Sequence, residues 1–365
     1  MGKREQRTAA SIVGGTMLIA LVVALVFAQR VWSYPDRSHR PGDKQLVKVV
    51  IAKGMTPAGI ARALADKDLL DHPSWFRFYT NERGTSQRIR AGQYTLSPSM
   101  TPRQMMDALL AGAPEEEVAV TIPEGKNIVE IAQLLGEAGV CPRADAEKAM
   151  RDPALLRTLA IAGETVEGYL YPDTYQFKPG TPASKVITRL VRRGREVYAE
   201  LRVNHLAGVK MLKKLYDFDD EEIVLMASLV EKETARSEER PRIAGVFLNR
   251  LRLPTFVPHL LQTDPTIVYG CTVPAKKSEA CKHWDGRIHR IHLDDKDNPY
   301  STYAHEGLPP GPICNPGRAA IEAVMTPDAT PYLYFVSKND GTHYFSKTRA
   351  EHEAAVDKYQ RHGGQ

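Results

Sequence analysis

The residues from Ala9 to Ala28 carry no charge, and no other stretch constrains the chain as strongly. About 20 consecutive apolar residues in a helix cross the hydrocarbon core of a bilayer. Lys3, Arg4 and Arg7 precede the run against a single acid, Glu5. Basic residues ahead of a span stay in the cytoplasm, so the chain beyond Ala28 is expected across the membrane. The competing reading is a cleaved signal peptide ending at Val26-Phe27-Ala28. The run is long for such a peptide, which favours an uncleaved anchor. The expected layout is a cytoplasmic N-terminus over 1–8, a transmembrane helix over 9–28 and a linker over 29–45, where Pro35 and Pro41 stand among charged residues.

Roughly 320 residues remain, more than one average domain. With 25% charged and 42% hydrophobic residues, the chain has the makeup of a folded protein rather than a disordered one. A formal charge of +5 tolerates an anionic surface as partner. No basic stripe with interleaved aromatics points to nucleic acid. Four cysteines are present, at 141, 271, 281 and 314. Beyond the membrane they can oxidise, and Cys271 and Cys281, at the ends of one polar segment, are the expected pair. A zinc site is the rival reading there, since His283, His289 and His292 come soon after, but the spacing matches no standard zinc module.

Short strands and capped helices alternate along the chain beyond the linker. Val47 to Ile51 reads as a strand, and GMTPAGIARAL, from Gly54, as a helix with a capping Thr and Pro at its first position. Arg90 to Leu96 reads as a second strand, and Thr101 opens another helix. Val118, Val120 and Ile122 alternate again. Setting Gly125 of PEGKNIVEIAQLL on Gly54 repeats a strand–Gly–helix unit, similar to the start of LysM-type glycan-binding modules. The aromatic run EGYLYPDTYQF, Glu167 to Phe177, suits either sugar rings or packing between domains. LLQTDPTIVYG is expected to lie before and along a short strand. YLYFVSKNDGTHYFSKT reads as a hairpin turning at Asn339-Asp340-Gly341, and the residues after Ala355 as a polar, frayed tail. The fold class is α+β: the transmembrane helix, a LysM-like small α/β module over 46–122, a second module over 123–218, a larger mixed α+β catalytic domain over 219–355 and a tail over 356–365.

The chemistry is expected in LMASLVEKETARSEERPRIAGVFLNRL, Leu225 to Leu251. Asp219 and Glu222 form a capping-box pattern ahead of it. Ala227 and Ile223 lie one and two helical turns before Glu231, with Leu229 and Val230 just before it, which places Glu231 on an apolar face. Desolvation favours the neutral form of a carboxyl, and an acid that keeps its proton can hand it to a leaving group. The bland alternative is a Glu that is capped or salt-bridged. Glu233, on the opposite side of the helix, is expected to be solvated or ion-paired. NPYSTYAHEGLPPGPICNPG, Asn298 to Gly317, is a loop whose Pro and Gly content implies a fixed shape, and such loops often line sites.

Together, LVEKETARSEERPRIAGVFLNRL, LQTDPTIVYG, NPYSTYAHEGLPPGPICNPG and EGYLYPDTYQF resemble the endolytic murein transglycosylase (MltG, YceG-like) family over nearly the whole chain. The resemblance implies a bacterial inner-membrane enzyme with its catalytic part on the extracytoplasmic side. Its partners would be peptidoglycan glycan strands, the membrane and peptidoglycan synthases such as penicillin-binding proteins, with no cofactor and no metal. It implies Glu231 as the catalytic acid/base. Motif position adds Gln262, Thr263, Asp264, Tyr269, Tyr300, Tyr303, His305 and Asn315 as substrate-binding residues. The reaction implied is cleavage between MurNAc and GlcNAc with closure of a 1,6-anhydro ring by the sugar's own C6 hydroxyl, so that one carboxyl suffices where most glycosidases need two. Two departures stand out: the long connection RLPTFVPHLL before Gln262, and an extra lobe between Cys271 and His292. The rival classes are a hydrolytic muramidase with Glu233 or Asp264 activating water, a non-catalytic wall-binding scaffold, and a zinc peptidase, for which no HExxH is present.

Overall fold

The structure, a computed structural model, describes residues 17–18, 21–85, 88–113 and 117–361. Half of the expected span over 9–28, residues 9–16 and 19–20, lies outside those residues. Residues 21–33 are helical, and among the described residues no helix is long and apolar enough to cross a membrane. The chain divides into two compact units, residues 1–115 and 116–365.

In the first unit, β1 (Val47–Ile51) pairs antiparallel with β2 (Gly92–Leu96), Val49 opposite Tyr94. Helices α1 (Pro57–Ala65) and α2 (Pro73–Glu82) lie between the strands in sequence, and α3 (Pro102–Ala111) comes after them. The strands show the alternation of a sheet with one covered face: Val49, Ile51, Tyr94 and Leu96 are buried, while Val50 points to solvent. Their buried faces share a core with Ile60, Leu64, Phe76 and Met105. The helix starts are local chemistry. Thr56 Oγ accepts from the Gly59 amide at 3.2 Å, and Thr101 and Gln104 satisfy each other's amides reciprocally, each with Pro in the first turn.

The second unit opens with β3 (Val118–Thr121), expected to close the first module. It pairs instead with β4 (Thr174–Phe177) and brings the boundary forward to 115/116. Between these strands run α4 (Ile128–Glu137), α5 (Arg143–Ala149) and α6 (Pro153–Thr158). Gly54 and Gly125, aligned by the sequence repeat, both take positive φ, +81° and +75°, as the chain turns from strand to capped helix. After β4 come α7 (Ala183–Asn204), α8 (Leu206–Tyr216), α9 (Asp220–Glu233), α10 (Arg240–Arg252), α11 (Asp264–Thr272), α12 (Arg290–Leu293) and α13 (Arg318–Met325). The hairpin β5 (Tyr334–Ser337) and β6 (His343–Ser346) and helix α14 (Arg349–Val356) complete the order. One core runs from Val120 to Met325, so packing continues through the expected boundary at 218/219. Tyr175 and Phe177 belong to this core, which gives the aromatic run its packing role. The whole is α+β, helix-rich, with three two-stranded antiparallel sheets among the described residues.

Two expectations change. Residues 264–272, whose β-branched run suggested a strand, form α11. Pro265 sits in its first turn, and Thr266, Ile267, Tyr269 and Cys271 are buried. Gly270 lets that helix reach Asn298, whose side chain leaves no room for a Cβ. The chain past Ala355 stays helical through Arg361, where a frayed tail was expected. In the extra lobe Cys271 and Cys281 form a disulfide, while Cys141 and Cys314 are free and buried. Two histidines of the zinc reading are engaged otherwise. His289 pairs with Asp285 at 2.9 Å, and His292 takes the His289 amide on Nδ1.

Candidate active site

Helix α9 passes through the core. Ile223 to Val230 are all buried, between α10, α11 and α13, so the carboxylates at its end lie where water is scarce. Its start is fixed by the expected capping pair, the Asp219 amide donating to Glu222 Oε2 at 2.7 Å. Glu231 is where the helical spacing placed it, with a side chain only 5% exposed. Its surroundings differ from the expectation. Oε1 accepts from Arg240 Nη2 at 2.7 Å, and Oε2 accepts from the Gly317 amide at 2.9 Å. Arg240, at the start of α10, is itself 7% exposed. Burial pushes the Glu231 carboxyl up, while the Gly317 amide and the Arg240 guanidinium pull it down. Glu231 is thus clamped between α10 and the loop before α13, and it does not line the groove that opens at the end of α9.

Glu233, expected to be solvated or ion-paired, stands on the groove. It is the last residue of α9, it lines that open groove of about 780 Å³, and it makes no ion pair among the described residues. The Thr263 hydroxyl donates to its Oε1. Burial pushes its carboxyl up to about 7, and the negative charge of Asp264 adds to that; the Thr263 hydrogen bond and Arg250 oppose it. The C-terminal end of a helix also disfavours an anion. The result is an acid that holds its proton near neutral pH while facing a groove.

Gln262, Asp264 and Tyr303 line the groove beside Glu233. Tyr303 donates its hydroxyl to Asp264 Oδ1 at 2.6 Å, which orients that carboxylate. Gln262 stands at φ +51°, its amide on the Thr302 carbonyl at 3.0 Å, and this kink ends the connection from α10. That connection supplies Thr255, Phe256, Val257, Pro258 and Leu260 to the groove. Tyr334 to Ser337 of β5, His343 of β6 and the face of α14 complete the lining. Arg250 binds the parts together. Its guanidinium donates to the carbonyls of Leu333, at 2.7 Å, and Leu261, and it lies over the rings of Phe256 and Tyr334. Burial lowers its pKa to about 10.

The remaining expected residues lie elsewhere. Thr263 is buried and holds Glu233 rather than facing the groove. Tyr269 and Asn315 belong to a buried cluster around Glu167. Tyr269 donates to Glu167 Oε2 at 3.1 Å and Asn315 Nδ2 donates to Oε1 at 2.7 Å. Asn315 Oδ1 also accepts the Leu170 amide at 2.7 Å, tying the loop before α13 to the aromatic run. Burial pushes the Glu167 carboxyl up to about 8. Tyr300 packs on Tyr269, ring centroids 4.7 Å apart, and His305 is exposed outside the groove lining. Sequence reasoning missed Arg250, Phe256, Tyr334 and His343 as groove residues. Only the spread of the motifs around one helix end hinted at them.

A model described as the YceG-like family matches residues 49–358. The chain belongs to the YceG-like family. Relatives of this YceG-like chain include the endolytic murein transglycosylase of Bacillus subtilis (strain 168). The two are 30% identical over 337 residues, which are 87% of this chain and 85% of that protein. The endolytic murein transglycosylase of Streptococcus pneumoniae D39 is 30% identical over 342 residues, 86% of this chain but 58% of its own length. A crystal structure of a YceG-like protein from Listeria monocytogenes aligns at a TM-score of 0.54 and 31% identity, covering 86% of this chain and 99% of that one.

Proposed function

We propose that this YceG-like protein is a peptidoglycan lytic transglycosylase that cuts glycan strands internally, with Glu233 as its general acid. The observation that carries the reading is Glu233 itself: a carboxyl that keeps its proton near neutral pH, on a groove it shares with Asp264, Gln262 and Tyr303. The names of the relatives supply the substrate class and the reaction type. In the proposed step Glu233 gives its proton to the oxygen between MurNAc and GlcNAc as that bond to the anomeric carbon breaks. Positive charge grows on the sugar, and the Asp264 carboxylate, oriented by Tyr303, is the group suited to stabilise it. The sugar's C6 hydroxyl attacks the anomeric carbon and closes a 1,6-anhydro ring. The nucleophile belongs to the substrate, so no activated water is needed and the carboxylate left on Glu233 is the minimal acceptor for its proton. In this reading the uncharged run 9–28 anchors the enzyme in the bacterial inner membrane beside nascent strands. Internal cutting there limits strand length, and peptidoglycan synthases are its natural neighbours. The strand–helix–helix–strand order of the first unit supports a LysM-like grip on glycan.

The test is the product mass spectrum from intact glycan strands. Wild type should give anhydro-ended fragments of several disaccharides, and Glu233→Gln should lose about 10²–10⁴-fold in rate. Undiminished cleavage by Glu233→Gln rejects the assignment. Asp264 on the same groove also supports a second reading, hydrolysis by an activated water, and reducing-end products would select it.

A further inference from the structure

We propose that His343 is a second catalytic residue of the groove: its Nε2 takes the proton of the attacking C6 hydroxyl. This rests on the transglycosylase reading and changes one half of it, the identity of the base. His343 opens β6 and lines the same groove as Glu233. Its Nδ1 lies 2.7 Å from Glu239 Oε2, and its amide donates to Glu239 Oε1 at 2.9 Å. Both side chains are 12% exposed. A carboxylate accepts only, so Nδ1 carries the hydrogen, and the tautomer this contact selects has its lone pair on Nε2. Nε2 has no partner among the described residues and is not among the buried unsatisfied atoms, so it is reachable from the groove. The ring sits edge-on to Phe335, centroids 5.5 Å apart, which limits its rotation. A carboxylate fixing the tautomer and direction of an imidazole is the arrangement that makes histidine a base elsewhere.

Asp264 Oδ1 accepts the Tyr303 hydroxyl, and His352 Nδ1 is buried without a partner. Glu239 ends the short turn of residues 237–239 after α9, and the Thr234 hydroxyl lies 3.5 Å from it. The imidazole is therefore tied to the residue directly after Glu233. Besides Glu239, charged groups on the groove are Glu233, Asp264, Arg250, Arg349, Glu353 and Arg361, and Arg236 lies at the hairpin turn. In the balanced step Glu233 protonates the bridging oxygen, the C1–O bond breaks and O6 bonds to C1. The O6 proton passes to Nε2, giving an imidazolium beside Glu239. Proton exchange through groove water then restores the imidazole and the Glu233 acid.

The test compares kcat and KM of the full-length enzyme on purified glycan strands. His343→Asn keeps an N–H where Nδ1 stood and so keeps the tie to Glu239, but has no Nε2. It should melt with wild type and lose about 10²-fold in kcat, with KM little changed. His343→Ala should fall as far and recover part of its rate with added imidazole. Wild-type turnover by His343→Asn, or a loss in His343→Ala that imidazole leaves untouched, overturns the proposal while leaving Glu233 in place. Full activity in Glu233→Gln would instead remove the reading on which it rests.

Discussion

Glu233 holds its proton more tightly in the folded chain than in the unfolded one, because burial and the charge of Asp264 act only when the chain is folded. The raised acid therefore contributes its full stability below the unfolded carboxyl range, about 4.3. The contribution is lost as pH rises toward about 7, the folded value. Glu233→Gln, always neutral, avoids the loss. Its melting temperature should rise relative to wild type between those limits and level off above them; a difference that stays flat across this range contradicts the burial argument. Burial raises the Glu231 carboxyl too, but Glu231 is tied to a buried cation. Removing it by Glu231→Ala leaves Arg240 buried without its nearest anion, which should cost about 3–5 kcal/mol, seen in the denaturation midpoint. The helical spacing in the sequence located a desolvated carboxyl at 231 correctly. It could not say that Arg240, nine residues along, folds back onto it, nor that Glu233 escapes such a partner.

Between elements, the decisive contact joins the end of α9 to the start of α11. Thr263 precedes α11, and its amide and hydroxyl are both spent inward, on Thr302 Oγ at 3.0 Å and on Glu233. The hydroxyl favours the ionised form of Glu233. Thr263→Val should therefore raise the Glu233 pKa further and move the basic limb of the pH–rate profile to higher pH. An unmoved limb would mean that this hydrogen bond does not set the acid. Element starts were legible where a side chain caps its own helix: Thr56, Thr101 and Asn127 all do so as their sequence neighbours suggest. The strand expected along 264–272 failed because β-branched residues fit a buried helix as well as a sheet when tertiary packing buries them, as it buries Thr266 and Ile267.

At the scale of the molecule, two cores are separate: one built from Val49, Leu64, Phe76 and Tyr94, the other running from Val120 to Met325. Calorimetry of the full chain in detergent should resolve two heat-absorption transitions, and a single cooperative peak would contradict independent cores. The amino-acid order alone settled the uncharged N-terminal run, the caps, the hairpin at Asn339 to Gly341 and the family resemblance, because each depends on residues close together in the chain or on their spacing; it offered Cys271–Cys281 as a pair that the tertiary structure decided. Which glutamate faces the groove depended on Arg240, Thr263, Arg250 and the hairpin meeting around one helix end. Those groups lie far apart in sequence, and the charge state of a carboxyl is set by whatever packing brings within a few ångströms of it.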